Sequence, residues 1–350
     1  MKNLIFGIVL APYRIDYYNY MSRELSAKIL MRQKSFHGQL YATDSVENQA
    51  EFEVQLYDIR KIHFANVPLH LRGLVSKFSP AIVVAPEFSL ITVGLILLKY
   101  VLRYRYKIVV QCDDSYDMFV KGRGFTFCHQ IARRLFMPLV NDVILVDQRA
   151  VDWCQAKYKK GIWMPIIRDE VKFLQKINPE QRSASERLEL LFVARLISIK
   201  NLSVLLDACT MLRVPYHLTV VGDGPMREAW ENEAKEKQVN ATFVGAKQDN
   251  QLYSYYCTSH IFILPSLKEP FGAVTNEALL LGCYCLVSTK AGSACLIEEG
   301  INGYTFNPHS ASDLTEKLLK LSPLRRNERR NRMTVSFSSL MGNLKNAIES

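Results

Sequence analysis

The stretch HIFILPSLKEPFGAVTNEALLLGCYCLVS, residues 260–288, holds an apolar run, a Pro/Gly turn, a helix-length segment and a second apolar run. Short runs without polar alternation suit strands buried on both faces, and a helix between two of them makes a parallel crossover. The same unit recurs in both directions from here. Upstream, strands are expected at LELLFVA (188–194), HLTVVG (217–222) and ATFVG (241–245). Helices are expected near 201–212, 226–237, 249–257, 273–281 and 311–320. In the first half the strands read as 4–10, 81–87, 107–113 and 142–147, with weaker signals near 38–42 and 53–57. Helices there read as 16–30, 90–104, 126–136 and 149–158. Alternating strands and helices over 350 residues give an α/β class with two parallel-sheet, Rossmann-like domains. Two such domains are expected to face a central cleft, with ligands at the carboxyl ends of the strands.

The boundaries follow from composition. Residues 168–188 are polar and poorly periodic, with an Asn178-Pro179 turn signal, and read as the linker. This gives domains at 1–167 and 168–324, then a helical tail at 325–350 that returns to the first domain. The tail opens on a basic run, 325–332, expected to form a solvated or anion-facing helix. MKNLIFGIVLAP at the start has a short apolar run and no small-x-small site, so it reads as a first strand rather than a signal peptide. LITVGLILLKYVL (90–102) is too short to span a bilayer and reads as a buried or interfacial helix.

With 49% hydrophobic residues the chain can build real cores, which excludes global disorder. Residues 1–165 hold 22 Lys and Arg against 14 Asp and Glu, whereas residues 166–350 hold 22 against 20. The basic excess of the first half suits an anionic partner such as a membrane surface or polyanionic acceptor, or else a solvated basic face. The eight cysteines show no CxxC spacing, which points to small hydrophobes in a reducing cytoplasm rather than metal ligands.

Chemistry gathers at the turns that end the strands. Glu269 follows a strand, Glu277 falls more than one turn into a helix expected to start near Gly272, and the N–H groups of Phe271, Gly272 and Ala273, with Val274 as a further donor-binding position, offer an anion site. The order carboxylate, anion site, carboxylate matches a sugar, a pyrophosphate and a ribose laid end to end, or else two solvated glutamates. In ARLISIKN (194–201), Arg195 and Lys200 emerge where a strand meets a helix, as cations that neutralise a diphosphate do. Gly222 and Gly224 in VGDGP allow either a tight turn alone or close approach to a ligand, and Gly245 in FVG allows approach to a nucleobase.

The ordered set ARLxxxK, VGDGP, FVG, ILPSxxEPFGxxxxEAL and GxNGY, across about 188–320, resembles the retaining glycosyltransferases of GT-B fold, family 4 (glycosyl transferases group 1). The resemblance implies that Arg195 and Lys200 hold the donor diphosphate, Glu269 the sugar hydroxyls and Glu277 the ribose. It further implies transfer of a hexose-type sugar with retention, from a nucleotide diphosphate sugar such as a UDP- or GDP-sugar, with no cofactor required. The acceptor is then a polysaccharide or glycolipid, including lipopolysaccharide, built on the cytoplasmic face, where the basic excess of the first half would suit peripheral contact with an anionic membrane.

The first half departs from the family pattern. Tyr13 and Arg14 stand where many members carry a glycine-rich loop, and Arg14 either contacts phosphate or an anionic acceptor or is a surface arginine. After KIVVQCD many relatives place a histidine, whereas this chain has Asp113 and Asp114, which serve either as substitutes toward the acceptor hydroxyl or as caps. His129 falls on a helix and reads as outside the site. The interleaved Phe119, Phe125 and Phe127 with Lys121, Arg123, Arg133 and Arg134 fit either a bilayer-seated segment or a core-packed amphipathic helix. A catalytically inactive nucleotide-sugar-binding scaffold and a GT-B epimerase or phosphorylase remain as alternatives.

Overall fold

The computed structural model describes residues 3–33, 47–57, 66–122, 126–175, 177, 186–323 and 330–350. The expected strand near 38–42, the Asn178-Pro179 turn, Arg123, Phe125 and residues 325–329 of the basic run lie outside them. The chain forms two compact units, Met1–Arg168 with Phe337–Ser350, and Asp169–Ser336.

The first unit is a parallel sheet of β1 (Leu4–Val9), β2 (Lys28–Gln33), β3 (Gln55–Leu56), β4 (Ile82–Pro86), β5 (Lys107–Cys112), β6 (Asp142–Leu145) and β7 (Ile162–Trp163). Their order is β3-β2-β1-β4-β5-β6-β7. Its helices are α1 (Ile15–Glu24), α2 (Val67–Phe78), α3 (Leu90–Tyr100), α4 (Tyr116–Phe119), α5 (Phe127–Phe136) and α6 (Gln148–Tyr158). The expected helix 16–30 is in fact α1 followed by β2, split at Ser26, whose φ of 50° lies in the left-handed region. KILMRQ has helix-forming side chains, but pairing with β1 (Leu4 with Lys28, Phe6 with Leu30) overrides that local preference. The helix at 90–104 ends earlier, at Tyr100, and Arg103 beyond it has a φ of 58°. Helix α2 has no counterpart among the expected elements.

The second unit repeats the plan with β8 (Leu188–Val193), β9 (Tyr216–Val221), β10 (Ala241–Gly245), β11 (Ile261–Leu264), β12 (Tyr284–Ser288) and β13 (Gly303–Phe306). Their order is β10-β9-β8-β11-β12-β13. Its helices are α7 (Glu170–Gln175), α8 (Leu202–Met211), α9 (Arg227–Glu236), α10 (Asp249–Thr258), α11 (Val274–Leu280) and α12 (Ala311–Leu321). Strands β11 and β12 are buried along their whole length, as unalternating apolar runs require. Phe192, Trp230, Ile263, Leu286, Leu314 and Leu318 join the core that carries this sheet. Each such side chain contributes roughly 1.5–3 kcal/mol on burial.

The described end of the basic run, residues 330–332, is irregular chain rather than the expected helix. Arg332 lies in irregular chain and is buried, with its guanidinium 3.6 Å from the centroid of the Tyr284 ring. Its Nε donates to the Gly282 carbonyl at 2.9 Å. The chain then returns to the first unit as α13 (Phe337–Glu349), which buries Phe337, Leu340, Met341, Leu344 and Ile348. Phe337 meets the Tyr20 ring of α1 at 6.3 Å. A buried ion pair, Arg168 to Asp16 at 2.7 Å, further ties the end of this unit to α1.

Candidate active site

Both sheets reverse their winding at one place, between β1 and β4 in the first unit and between β8 and β11 in the second. Loops at the carboxyl ends of such strands diverge there and leave room for a ligand. In the second unit these are the turns carrying Arg195, Lys200 and Glu269.

Local backbone contacts fix that edge. A Cβ at Gly222 would lie 1.8 Å from the Ala194 carbonyl oxygen, and one at Gly224 would lie 2.5 Å from that of Leu196. Both glycines have positive φ, 138° and 155°. The N–H of Leu196 donates to Asp223 at 2.8 Å, and that of Met226 donates to Leu196 at 3.0 Å. The VGDGP glycines therefore let one turn pack on another, and so pin the backbone on either side of Arg195. Gly245 joins the same layer by accepting from the Gly222 N–H at 2.9 Å. Arg195 itself is exposed, and its guanidinium makes no hydrogen bond or ion pair among the described residues.

Lys200 ends a 3-10 turn, Ser198–Lys200, and is followed by Asn201 in the left-handed region, φ 55°. The Asn201 side-chain amide donates to the carbonyls of Pro265 at 3.2 Å and Pro308 at 2.8 Å. The Leu267 N–H donates to Ile199 at 2.9 Å. These bonds join the turns after β8, β11 and β13, and they deliver Lys200 Nζ to Glu269 Oε2 in a direct ion pair. The buried Ser266 hydroxyl donates to the same carboxylate oxygen at 3.3 Å. Sequence reading missed Ser266 and Asn201, although both stood inside the quoted motifs.

At Glu269 the chain bridges to Ala291, and the Phe271 carbonyl accepts from the Ser293 N–H at 2.8 Å. Phe271 is buried, and Gly272 is held so close that an added Cβ would meet Leu264 at 2.7 Å. With Gly272 at a φ of 93°, helix α11 starts at Val274, not near Gly272. Glu277 accordingly sits in the first turn of α11, a correction to its expected place deeper in the helix. The N–H groups of Phe271, Gly272 and Ala273 donate to no acceptor among the described residues. Glu277 accepts from the buried Tyr256 hydroxyl at 3.5 Å.

The first unit arranges its charges differently. Arg14, after β1, is buried and paired with Asp113, which is 45% exposed and also accepts from Gln111 at 3.2 Å. Tyr13 precedes Arg14 in the same short 3-10 turn. Asp114 is buried against Arg133 of α5 at 2.9 Å, and Arg133 also reaches Glu87 at 3.2 Å. The His129 ring nitrogen lies 3.6 Å from Glu87. Burial and the neighbouring Glu87 carboxylate push the Asp114 carboxyl up to about 8, with Arg133 opposing. Burial also works against the Glu87 charge, but a hydrogen bond with His129 and the charge of Arg133 outweigh it and hold Glu87 below the usual carboxylate range. Asp113 and Asp114 thus part company: Asp113 reaches solvent, whereas Asp114 belongs to an internal cluster. Glu87 and Arg133, its partners, were missed because they come from different elements and share no spacing.

Residues 173–335 match the model of the family Glycosyl transferases group 1. A glycosyltransferase of amylovoran biosynthesis from Erwinia amylovora, AmsK, is 28% identical over 160 residues, covering 42% of this chain and 39% of the relative. The chain spans about half or less of the length of the curated relatives it matches. Among solved structures, the lipopolysaccharide outer core galactosyltransferase WaaB superposes with a TM-score of 0.75 at 13% identity, covering 100% of this chain and 99% of that one. Anabaena HepE in complex with UDP and glucose superposes with a TM-score of 0.69 at 15% identity, covering 100% and 99%. At such identities the structural likeness carries the fold alone. Residues 173–335 thus match the Glycosyl transferases group 1 family, in a chain whose two parallel-sheet units have the fold of GT-B glycosyltransferase structures.

Proposed function

We propose that this chain is a retaining glycosyltransferase that moves a hexose-type sugar from a nucleotide diphosphate sugar to a polysaccharide or glycolipid acceptor. The observation that carries the reading is the edge of the second sheet, where Arg195, unpaired among the described residues, projects from a pinned backbone near the linked trio Lys200, Glu269 and Ser266. A leaving nucleoside diphosphate gains negative charge as its glycosidic bond breaks. Arg195 and Lys200 are cations available to that charge, and fixed charges need no reorganisation at the moment of transfer. Glu269, held by Lys200 and Ser266, is oriented to accept hydrogen bonds from sugar hydroxyls, with the open N–H groups at 271–273 beside it. Glu277 binds ribose hydroxyls in this reading. The first unit selects the acceptor, with Asp113 the accessible carboxylate for its hydroxyl. Retention follows from attack on the face that the diphosphate leaves, with the departing phosphate assisting.

The neighbour that binds UDP and glucose and the matched family model support this donor class. A thermal-shift panel of UDP, GDP, ADP and dTDP with their sugar conjugates tests it, because a ligand of the native state raises the melting temperature by mass action. One nucleotide series is expected to stabilise the wild type and not Arg195→Ala/Lys200→Ala. No stabilisation by any of them rejects the reading. Turnover is expected to persist in EDTA, and an absolute need for added divalent metal counts against the mechanism. Nucleotide binding without transfer to any acceptor would instead support a scaffold.

A further inference from the structure

Helices α3 and α5 are successive crossovers in the strand run β4-β5-β6, which places them on one face of the first sheet. The end of α3 is tied to the segment just after α5: the Tyr100 hydroxyl donates to the Leu139 carbonyl at 2.9 Å, and Lys99 Nζ to Asn141 at 2.7 Å. Helix α3 buries one side in the core through Ile91, Leu95 and Leu98, and α5 turns Arg133 inward to the Glu87–Asp114 cluster. Their outer sides are apolar where solvated helices are polar. Phe127, Ile131 and Leu135 recur every fourth residue along α5, one above another, and are 75%, 39% and 64% exposed. Leu97, Tyr100, Val101 and Leu102 are exposed at the end of α3. Single exposed apolar side chains are ordinary, but a contiguous set on joined elements marks an interaction surface.

The charge around this surface has one sign. Arg134 follows Phe127 by seven residues on the flank of the same stripe, and Arg103 and Arg105 follow α3. All three are exposed and make no ion pair among the described residues. Residues 88–112 and 118–141 contain no Asp or Glu at all. A second copy of the chain seated face to face would set cation against cation. Among the described residues no helix is long and apolar enough to cross a membrane.

We propose that the outer face of α5 with the end of α3 docks this protein onto an anionic lipid bilayer, Phe127, Ile131 and Leu135 entering the acyl boundary and Arg134, Arg103 and Arg105 meeting the headgroups. An amphipathic helix lying in the interface gains affinity from buried apolar area and from attraction to anionic lipid together. The docking is independent of the sugar-transfer reading and stands if that reading falls.

The test is cosedimentation of the full chain with vesicles of phosphatidylcholine alone and of phosphatidylcholine with phosphatidylglycerol, at low and high salt. Wild type is expected to pellet with the anionic vesicles only, and to be released as salt screens the cations. Phe127→Ser/Leu135→Ser is expected to weaken binding by roughly tenfold or more, and Arg134→Glu by several-fold, whereas Leu319→Ser, an exposed leucine of the second unit, leaves it unchanged. Should the double variant melt early, Phe127→Trp provides a second readout, its added fluorescence over wild type expected to shift to the blue on anionic vesicles alone. The proposal is overturned by failure of wild type to bind anionic vesicles, by a folded double variant that binds as wild type does, or by an introduced indole whose emission is indifferent to lipid. A concentration-dependent dimer that the double variant breaks would overturn it in favour of a contact between copies.

Discussion

The carboxyl edges of the two sheets start from the same strand order around the switch point and end with opposite economies of charge. In the second unit a cation, Arg195, is left exposed and unpaired among the described residues, on backbone that neighbouring glycines hold in place. In the first, Arg14 and Arg133 are buried, and each is matched to carboxylates of its own unit. A ligand anion has a counter-charge waiting at one edge; at the other the cations serve the fold. The same topology therefore locates a site without determining its chemistry, and pairing decides which edge is poised for an anion.

This contrast can be broken by substitutions that separate stability from turnover. The largest effect is expected from Arg133→Ala, which strands Glu87 and Asp114 in the interior and should cost about 3–5 kcal/mol in chemical unfolding. An unfolding curve matching wild type would mean that the first edge does not depend on its internal pairs. Next comes Glu269→Gln, which removes the charge that Lys200 and Ser266 orient. Turnover is expected to fall by roughly a hundredfold or more with the melting temperature nearly unchanged, and near wild-type rates would sink the donor-site assignment. Arg195→Ala is expected to lose about 1.5–3 kcal/mol of nucleoside diphosphate affinity by calorimetry. The ligand-free protein should melt as before, because Arg195 has no partner to lose among the described residues.

The smallest effect sharpens the picture of the first edge. Asp114 binds its proton more tightly folded than unfolded, so its contribution is fully present at low pH and is lost as pH rises from the ordinary carboxylate range through about 8. Glu87, held low, contributes in the opposite sense, with stability lost as pH falls through its folded value. Glu87 acts below the ordinary carboxylate range, so the decline between that range and about 8 belongs to Asp114, and Asp114→Asn should flatten it. An unchanged slope in pH-dependent unfolding would place the proton elsewhere.

What the sequence disclosed divides along the same line. In the second unit, β13 and the helix α7 (which falls inside the stretch expected to be linker) apart, the strands and helices stand within a residue or two of their expected bounds, since apolar runs and turn residues are local signals. Strand β13 escaped notice because GYTF is short and only partly apolar. In the first unit β2 was absorbed into a helix, because only its pairing with β1 makes KILMRQ a strand. The second-unit residues Lys200 and Glu269 could be placed at the carboxyl ends of strands in advance because each follows a strand with a strong apolar signature, but their direct ion pair was not foreseen. Asp114 with Glu87 and Arg133 could not, since three loops and helices of unrelated sequence meet there. Glu277 was one step off because the left-handed Gly272 delays the helix, a feature set by contact rather than by pattern.

The return of α13 to the first unit has a consequence for biogenesis. A ribosome releases residues 169–336 before Phe337–Glu349, so the second unit has all its strands and helices while the first still lacks one. Domains commonly fold in the order of synthesis, amino-terminal first. Here that order is inverted at the final step: the earlier-made unit waits, with the surface that Phe337, Met341 and Leu344 will cover still open to water, until the later-made one has passed.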